Sequence, residues 1–409
     1  VVLPFFSTTI SGNQNEEIIG ITSTKKNWVV AGNVVGDFLG TTPLGPLAPL
    51  GPLGGIDSWV SAFDSAGGNV WSLRVGTSED DLATAIAVDS KEQIWIAGLA
   101  QSAENPTVLV APDSSSASVE PQSIQSNQTP TVQTLNPDTV TAQRVEPIRK
   151  DLKFITVTQV DKSGVLLNRF AIALSNFGYI TAIIPGSAVV YLIGIEITKT
   201  GGERSFMQSL TITGEFGRKF YFGKSATTLA SGVLNKDKTL TLVGHSAEVL
   251  AKKPVIGKVD GIILNVSPAD GKILKVVRSN GVGATRAWKS AAGNLTVGGT
   301  SLTKNLTEAV ISQFSSTGSV LWSKRYAGAT AVVNNSSVVA VLSAQTNTLL
   351  KAKAGDVVVY QFDKKGDPTL GGRIPLSAEI LGLRSQSGLG TCVATRAADG
   401  RFVLTQLPF

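Results

Sequence analysis

A seven-bladed β-propeller of four-stranded antiparallel blades, closed by pairing of the N- and C-terminal strands, is the all-β fold predicted for this 409-residue chain. Three observations predict it. A phrase of four short apolar runs separated by turn residues recurs along the sequence. The last run of most copies closes on glycine. The chain also opens with three strand-like runs and ends with one left over, so one blade is completed only by its two ends.

The clearest copy spans residues 54–101, where the turns SAGG, TSEDD and DSKEQ separate four apolar runs of strand length. The phrase returns over residues 261–301, 308–345 and 356–396, with weaker copies at 151–197 and 202–247. The glycine closures are WVVAG (Gly32), IWIAG (Gly98), VYLIG (Gly194), LTLVG (Gly244) and LTVGG (Gly299), and VVAVL ends the same way at Leu342. Two spacings are long because of insertions at 36–53 and 103–150; without them the chain divides into seven units of about 49 residues. The opening runs VLPFFSTTI, EEIIGITS and NWVVAGNVV should join the final GRFVLTQLPF in one sheet. Such closure protects sheet edges that would otherwise invite aggregation. In this frame the first strand of each copy is innermost.

Residues 1–409 therefore form a single domain with two insertions. The first, 36–53, carries PLGPLAPLGPLGG, whose prolines favour an extended path with an apolar leucine stripe. The second, 103–150, is rich in Ser, Gln, Thr and Pro and cannot build a core of its own. Both are expected to serve as contact surfaces for protein partners. Residues 170–195 carry no charge, but Asn176, Pro185 and Gly186 interrupt them and they supply strands of the repeat. They are read as buried strands, not as a membrane span.

Composition removes several classes. One cysteine allows neither an internal disulfide nor a cysteine zinc site, and one histidine cannot build a multi-histidine centre. The net charge of +6 is scattered in short pairs such as Lys252-Lys253, without the clustered basic patch that nucleic acid requires. Low charge, scarce Cys and Met, and a start at Val1 suggest an exported bacterial protein whose leader was removed, acting outside the cell or in its envelope.

The repeats resemble the SBBP-type β-propeller repeat and, more distantly, the PQQ-like repeat. The residues that carry the resemblance are GGIDSWVSAFD, GGNVW, EDDLATAIAVDS and IWIAG in the clearest copy, and TGSVLW at 317–322. The resemblance implies a fold and no particular activity. Quinone-dependent relatives would be expected to show a cysteine pair and a calcium-bound cofactor site; one cysteine argues against that activity.

One constellation of acids stands out. Asp57, Asp260, Glu308 and Asp356 each lie six residues before the end of an equivalent strand. If those strands are innermost, four carboxylates share one level around the axis. Such a level would suit a hard divalent cation such as calcium. The structural reading, in which each carboxylate accepts backbone N–H bonds at a blade junction, takes precedence, and no cofactor is expected. The aspartate also belongs to the SBBP-like consensus. His245 lacks a nucleophile pattern nearby and reads as a satisfied surface histidine. Cys392 reads as a buried inert thiol. Trp28, Trp59, Trp71, Trp95, Trp288 and Trp322 read as core or inter-blade residues, with an aromatic sugar platform as the alternative.

These features favour a non-catalytic propeller that binds or scaffolds proteins, with no assigned catalytic residue. The alternatives are a glycoside hydrolase or lyase using axial acids and a glycan-binding lectin or adhesin.

Overall fold

The computed structural model describes residues 4, 6–10, 16–36, 41–42, 45–46, 53–111, 149, 151–304, 306–334, 337–346 and 349–409. The fold is all-β, a propeller of four-stranded antiparallel blades. The chain opens with β1 (Phe6–Ile10) and continues through β2 (Glu16–Ser23) and β3 (Trp28–Val35). A two-residue hairpin, β4 (Thr41–Thr42) and β5 (Gly45–Pro46), precedes β6 (Ile56–Phe63) and β7 (Asn69–Gly76). Next come β8 (Asp81–Val88), β9 (Ile94–Ala100), β10 (Thr107–Ala111), β11 (Phe154–Val160) and β12 (Leu166–Ala173). Then follow β13 (Gly178–Pro185), β14 (Val189–Ile197), β15 (Glu203–Thr211) and β16 (Phe220–Phe222). The next blade is β17 (Thr227–Leu234), β18 (Leu240–Ser246), β19 (Asp260–Val266) and β20 (Ile273–Ser279). After it come β21 (Thr285–Ala291), β22 (Thr296–Thr303), β23 (Leu306–Phe314) and the long β24 (Val320–Asn334). The chain ends with β25 (Val338–Ser343), β26 (Val357–Phe362), β27 (Pro368–Ile374), β28 (Ser377–Gln386), β29 (Gly390–Ala397) and β30 (Phe402–Leu407).

Neighbours within a blade follow chain order. The sheets run β2-β3-β6-β7, β8-β9-β11-β12, β13-β14-β15-β16 and β17-β18-β19-β20, with β10 added outside β7. The strands β21 to β27 form one continuous ladder, in which β24 pairs with β23 through its first half and with β25 through its second. The first strand of each sheet is innermost: β2 touches β28 and β8, β13 touches β8 and β17, and β21 touches β17 and β24. The uncharged stretch 170–195 supplies the end of β12, all of β13 and most of β14.

Two expectations are corrected. The sheet that holds both chain ends is β1-β30-β29-β28, so one N-terminal strand joins three C-terminal ones, rather than three joining one. The repeat frame is likewise shifted by two strands. Residues 54–101 supply the two outer strands of one blade, β6 and β7, and the two inner strands of the next, β8 and β9. The phase is invisible to periodicity because the link from an outer strand to the next inner strand, TSEDD, is as short and polar as a hairpin turn.

The glycine closures have a steric cause. The strands β2, β8, β13, β17, β21, β24 and β28 each carry at least one bulged residue where they pair with the next strand; the extra residues include Ile19, Thr84, Thr181, Ala230, Lys289, Ala329 and Leu381. A bulge sharpens the local twist and swings the backbone toward its partner. A methyl on Gly244 would stand 1.9 Å from the Thr228 carbonyl oxygen, and one on Gly32 1.8 Å from that of Glu17. At Leu342 the roles are exchanged, since there the glycine, Gly328, sits on the bulged strand, where a methyl would stand 2.5 Å from the Leu342 carbonyl oxygen.

The core lies between facing blades. Trp28, Trp59, Trp95 and Trp288 are fully buried, Trp71 nearly so, and Trp322 is half-buried against Phe362 at a blade junction. Burying such rings dominates the packing energy of a domain made of thin sheets.

Candidate interaction face

The connections from the second to the third strand of each blade share one face of the propeller, because strand direction alternates across every sheet. Both insertions are connections of this kind, 36–53 between β3 and β6 and 103–150 between β9 and β11 of the adjoining blade. Within the second, residues 107–111 form β10, which reaches back to pair with β7, Thr107 opposite Gly76 and Ala111 opposite Ser72. The proline-leucine stretch, apart from Gly45–Pro46 and residues 53–55, and residues 112–148 lie outside the described residues.

Asp57, Asp260, Glu308 and Asp356 stand at the start of third strands, two positions out from the inner edge. The expected axial placement is therefore corrected, while the shared register holds. Asp57 and Asp260 are fully buried. The Asp57 carboxylate accepts the N–H groups of Leu53 and Gly54 at 3.0 and 3.3 Å, and Asp260 accepts those of Ile256 and Gly257 at 2.8 Å each. Asp356 accepts the N–H of Lys353 at 2.7 Å. Each of these three acids thus fastens the returning end of a long loop. Glu308 follows a connection of only two residues between β22 and β23 and has no such loop to hold.

Every one of these acids also meets an arginine on the following strand. Arg74 reaches Asp57 at 2.6 Å, Arg278 reaches Asp260 at 3.1 Å, Arg373 lies 3.5 Å from Asp356, and Arg325 pairs with Glu308. Burial pushes the Asp260 carboxyl up, but its backbone and Asn280 and Arg278 donors outweigh this and hold it below the usual range. The sequence reading missed these arginines, although a constant offset of 17 or 18 residues after each acid was there to find them. Among the described residues, no three His, Cys, Asp or Glu side chains gather as a metal-binding group.

The roots of the two insertions are joined by one network. Asp80, in the link between the blades, accepts the Ile56 N–H at 2.9 Å and pairs with Arg149. Arg149 also holds Asp151 at 2.5 Å, and Asp151 accepts the Gln101 amide at 2.5 Å. Gln101 in turn accepts the Asp80 N–H at 3.0 Å. Arg169 adds a bond to the Glu104 carbonyl and a 2.5 Å pair with Asp81. Both ends of the second insertion, and the returning end of the first, are therefore fixed to one another.

The other candidates sit apart from this network. His245 is half-buried rather than a surface residue, and burial together with the Lys289 charge pushes its pKa down to about 4. Burial pushes the Cys392 thiol far up. Glu17, on inner strand β2, has its pKa raised mainly by burial and further by Glu379, with Asn33 and Arg396 opposing. Glu379 itself pairs with Arg396 at 2.7 Å.

No protein-family profile and no curated protein matches the chain. Solved structures are similar at low identity. The parainfluenza virus 5 hemagglutinin-neuraminidase ectodomain is 8% identical over 99% of this chain and 85% of its own, with a TM-score of 0.42. A glucose dehydrogenase is 10% identical over 62% of this chain and 92% of its own, with a TM-score of 0.41. A protein of unknown function from Bacteroides caccae is 9% identical over 76% of this chain and 82% of its own, with a TM-score of 0.38. Likeness at this level carries no argument about what this chain binds or does.

Proposed function

We propose that this chain is an exported, non-catalytic, seven-bladed propeller that presents its two insertions to protein partners at the cell surface or in an envelope assembly. Counting the β21–β27 ladder as two blades joined through β24 supports seven, because the bulge at Ala329 begins a new innermost strand there. Contacts of β24 with β28, and of β28 with β2, support a closed ring.

The observation that carries the functional reading is the Asp80–Arg149 network. Two insertions on neighbouring blades would each tolerate a loose root if they were mere surface loops. Here their roots are bonded into one rigid base, and β10 ties the second insertion to the blade of the first. A preorganised base lowers the entropy lost when a loop engages a partner. The axial pair Glu17 and Glu379 is the one observation on the side of a glycoside-active propeller, and Arg396 already neutralises Glu379.

The test is affinity capture from the envelope fraction of the source cell, with the intact chain and a variant in which a short Gly/Ser linker replaces residues 112–148. The expected result is a defined partner lost in the variant while its circular dichroism and melting are retained. An unchanged partner set would overturn the reading, and hydrolysis of a glycan panel abolished by Glu17→Gln would replace it with the enzymatic one.

A further inference from the structure

We propose a second contact surface on the same face, suited to an anionic lipid bilayer. It is built from two loops, residues 247–259 between β18 and β19 and residues 280–284 between β20 and β21, together with the end of β22 through Lys304 and the start of β23 at Leu306. They expose five aliphatic side chains: Val249 (62%), Ile256 (46%), Val282 (94%), Leu302 (36%) and Leu306 (49%). Lys252, Lys253, Lys258 and Lys304 are exposed among them.

The loops form one continuous surface. Lys258 N–H donates to the Ala284 carbonyl, Arg286 N–H donates to Val259, and Asn280 donates to both Val259 and Ala284. Thr285 pairs directly with Leu302, which extends the surface onto β22. The loops are also preformed. Ala251 and Lys252 adopt φ of 44° and 65° in a turn closed by reciprocal bonds between Leu250 and Lys253, and buried Leu250 anchors it. The Asp260 carboxylate fixes Ile256 and Gly257 from below.

Charge selects the partner. The carboxylates at these loops are already engaged: Glu248 by the N–H groups of Lys224 and Ala226 and the Thr227 hydroxyl, Asp260 by Arg278, and Glu308 by Arg325. The lysines therefore dominate the outward field. The five aliphatic groups stand out from loops and strand ends, Val282 almost entirely free. Shallow insertion of apolar tips ringed by lysines is the geometry of peripheral attachment to an anionic membrane.

Flotation of the intact chain with vesicles of phosphatidylcholine alone, and of equal parts phosphatidylcholine and phosphatidylglycerol, tests this. Binding is expected to the anionic vesicles only and should collapse in molar salt, where screening acts within about 3 Å. Each single Lys→Ala change at 252, 253, 258 or 304 should lower the partition coefficient about fivefold. The paired change Val282→Ser with Leu306→Ser should weaken it by roughly tenfold or more. All these side chains are exposed, so melting temperature serves as the control for folding. No binding to the anionic vesicles, equal binding to neutral vesicles, or binding indifferent to the substitutions would each overturn the proposal. Capture of polyglutamate with no vesicle binding would assign the surface to an acidic protein instead.

Discussion

The indole of Trp71, on the outer strand of one blade, lies against the backbone of Gly164 in the outer hairpin of the next, where a methyl would stand 2.7 Å from the ring. The Trp71 N–H also donates to the Lys162 carbonyl of that hairpin at 3.1 Å. The same lock recurs as Phe6 on Gly67, Phe170 on Gly214, Phe220 on Gly271 and Trp322 on Gly366. Blades are thereby joined at the rim as well as at the axis.

Gly164→Ala should therefore be costly. Its φ of +88° disfavours any side chain by about 1 kcal/mol, and displacing the indole adds roughly 1–3 kcal/mol. Urea denaturation should show a loss of about 2–4 kcal/mol. Gly388→Ala is the control, because Gly388 has φ of +85° with nothing within 4 Å, and should lose only about 1 kcal/mol.

The acid–arginine pairs should separate by depth. Arg74→Met leaves the fully buried Asp57 carboxylate without its counter-charge and should cost about 3–5 kcal/mol. Adding Asp57→Asn should recover part of that loss, since no charge then remains buried. Arg325→Ala, whose side chain is 40% exposed, should change stability by about 1 kcal/mol or less. Equal effects at the two sites would remove the distinction between a buried fastening and a surface pair.

The strands, the glycine closures and the shared register of the four acids were legible because each is a local pattern repeated along the chain. Gly244 could be read as a strand ending but not as the space for a bulge, because the bulge at Ala230 lies in the partner strand and has no residue signature of its own. The phase of the repeat was hidden for a related reason. Whether TSEDD turns within a blade or crosses to the next depends on which strand β8 faces, and that is a long-range choice. The Asp80–Arg149 network was out of reach because 69 residues separate its ends.

His245 predicts an acid-labile fold. Its folded pKa of about 4 lies below the unfolded value near 6.5, so the unfolded chain binds the proton first. Stability contributed by the neutral imidazole is full above about pH 6.5 and declines as pH falls toward 4. The loss should be on the order of 2 kcal/mol at pH 4. Denaturation curves of His245→Gln should lack this leg and keep the loss at lower pH that comes from carboxylates such as Asp260.

Asp80→Asn should loosen both insertion roots together. Hydrogen exchange should accelerate at the Ile56 amide, which the carboxylate accepts, and around residues 149–152, where Arg149 loses one of its two acidic partners. Exchange in distant β25 and β26 should be unchanged. Acceleration at one root alone would mean that the two insertions are fixed independently.

The pairing of β1 with β30 offers the most direct test of the proposed ring. Ser7 on β1 and Thr405 on β30 are register partners with side-chain oxygens 3.3 Å apart. They are separated by 398 residues, so a covalent link between them would constrain almost the whole unfolded chain. Replacing both with cysteine should give a disulfide that stabilises the protein by about 4 kcal/mol relative to its reduced form, near the upper end for such links because the loop is long. Buried Cys392 would not compete, since burial keeps its thiol protonated. The measurement is a pair of urea curves, oxidised and reduced, with the single variants Ser7→Cys and Thr405→Cys as controls. A chain in which β1 pairs with β30 only transiently would oxidise slowly and gain little, and the proposed closed ring would then lose its main support.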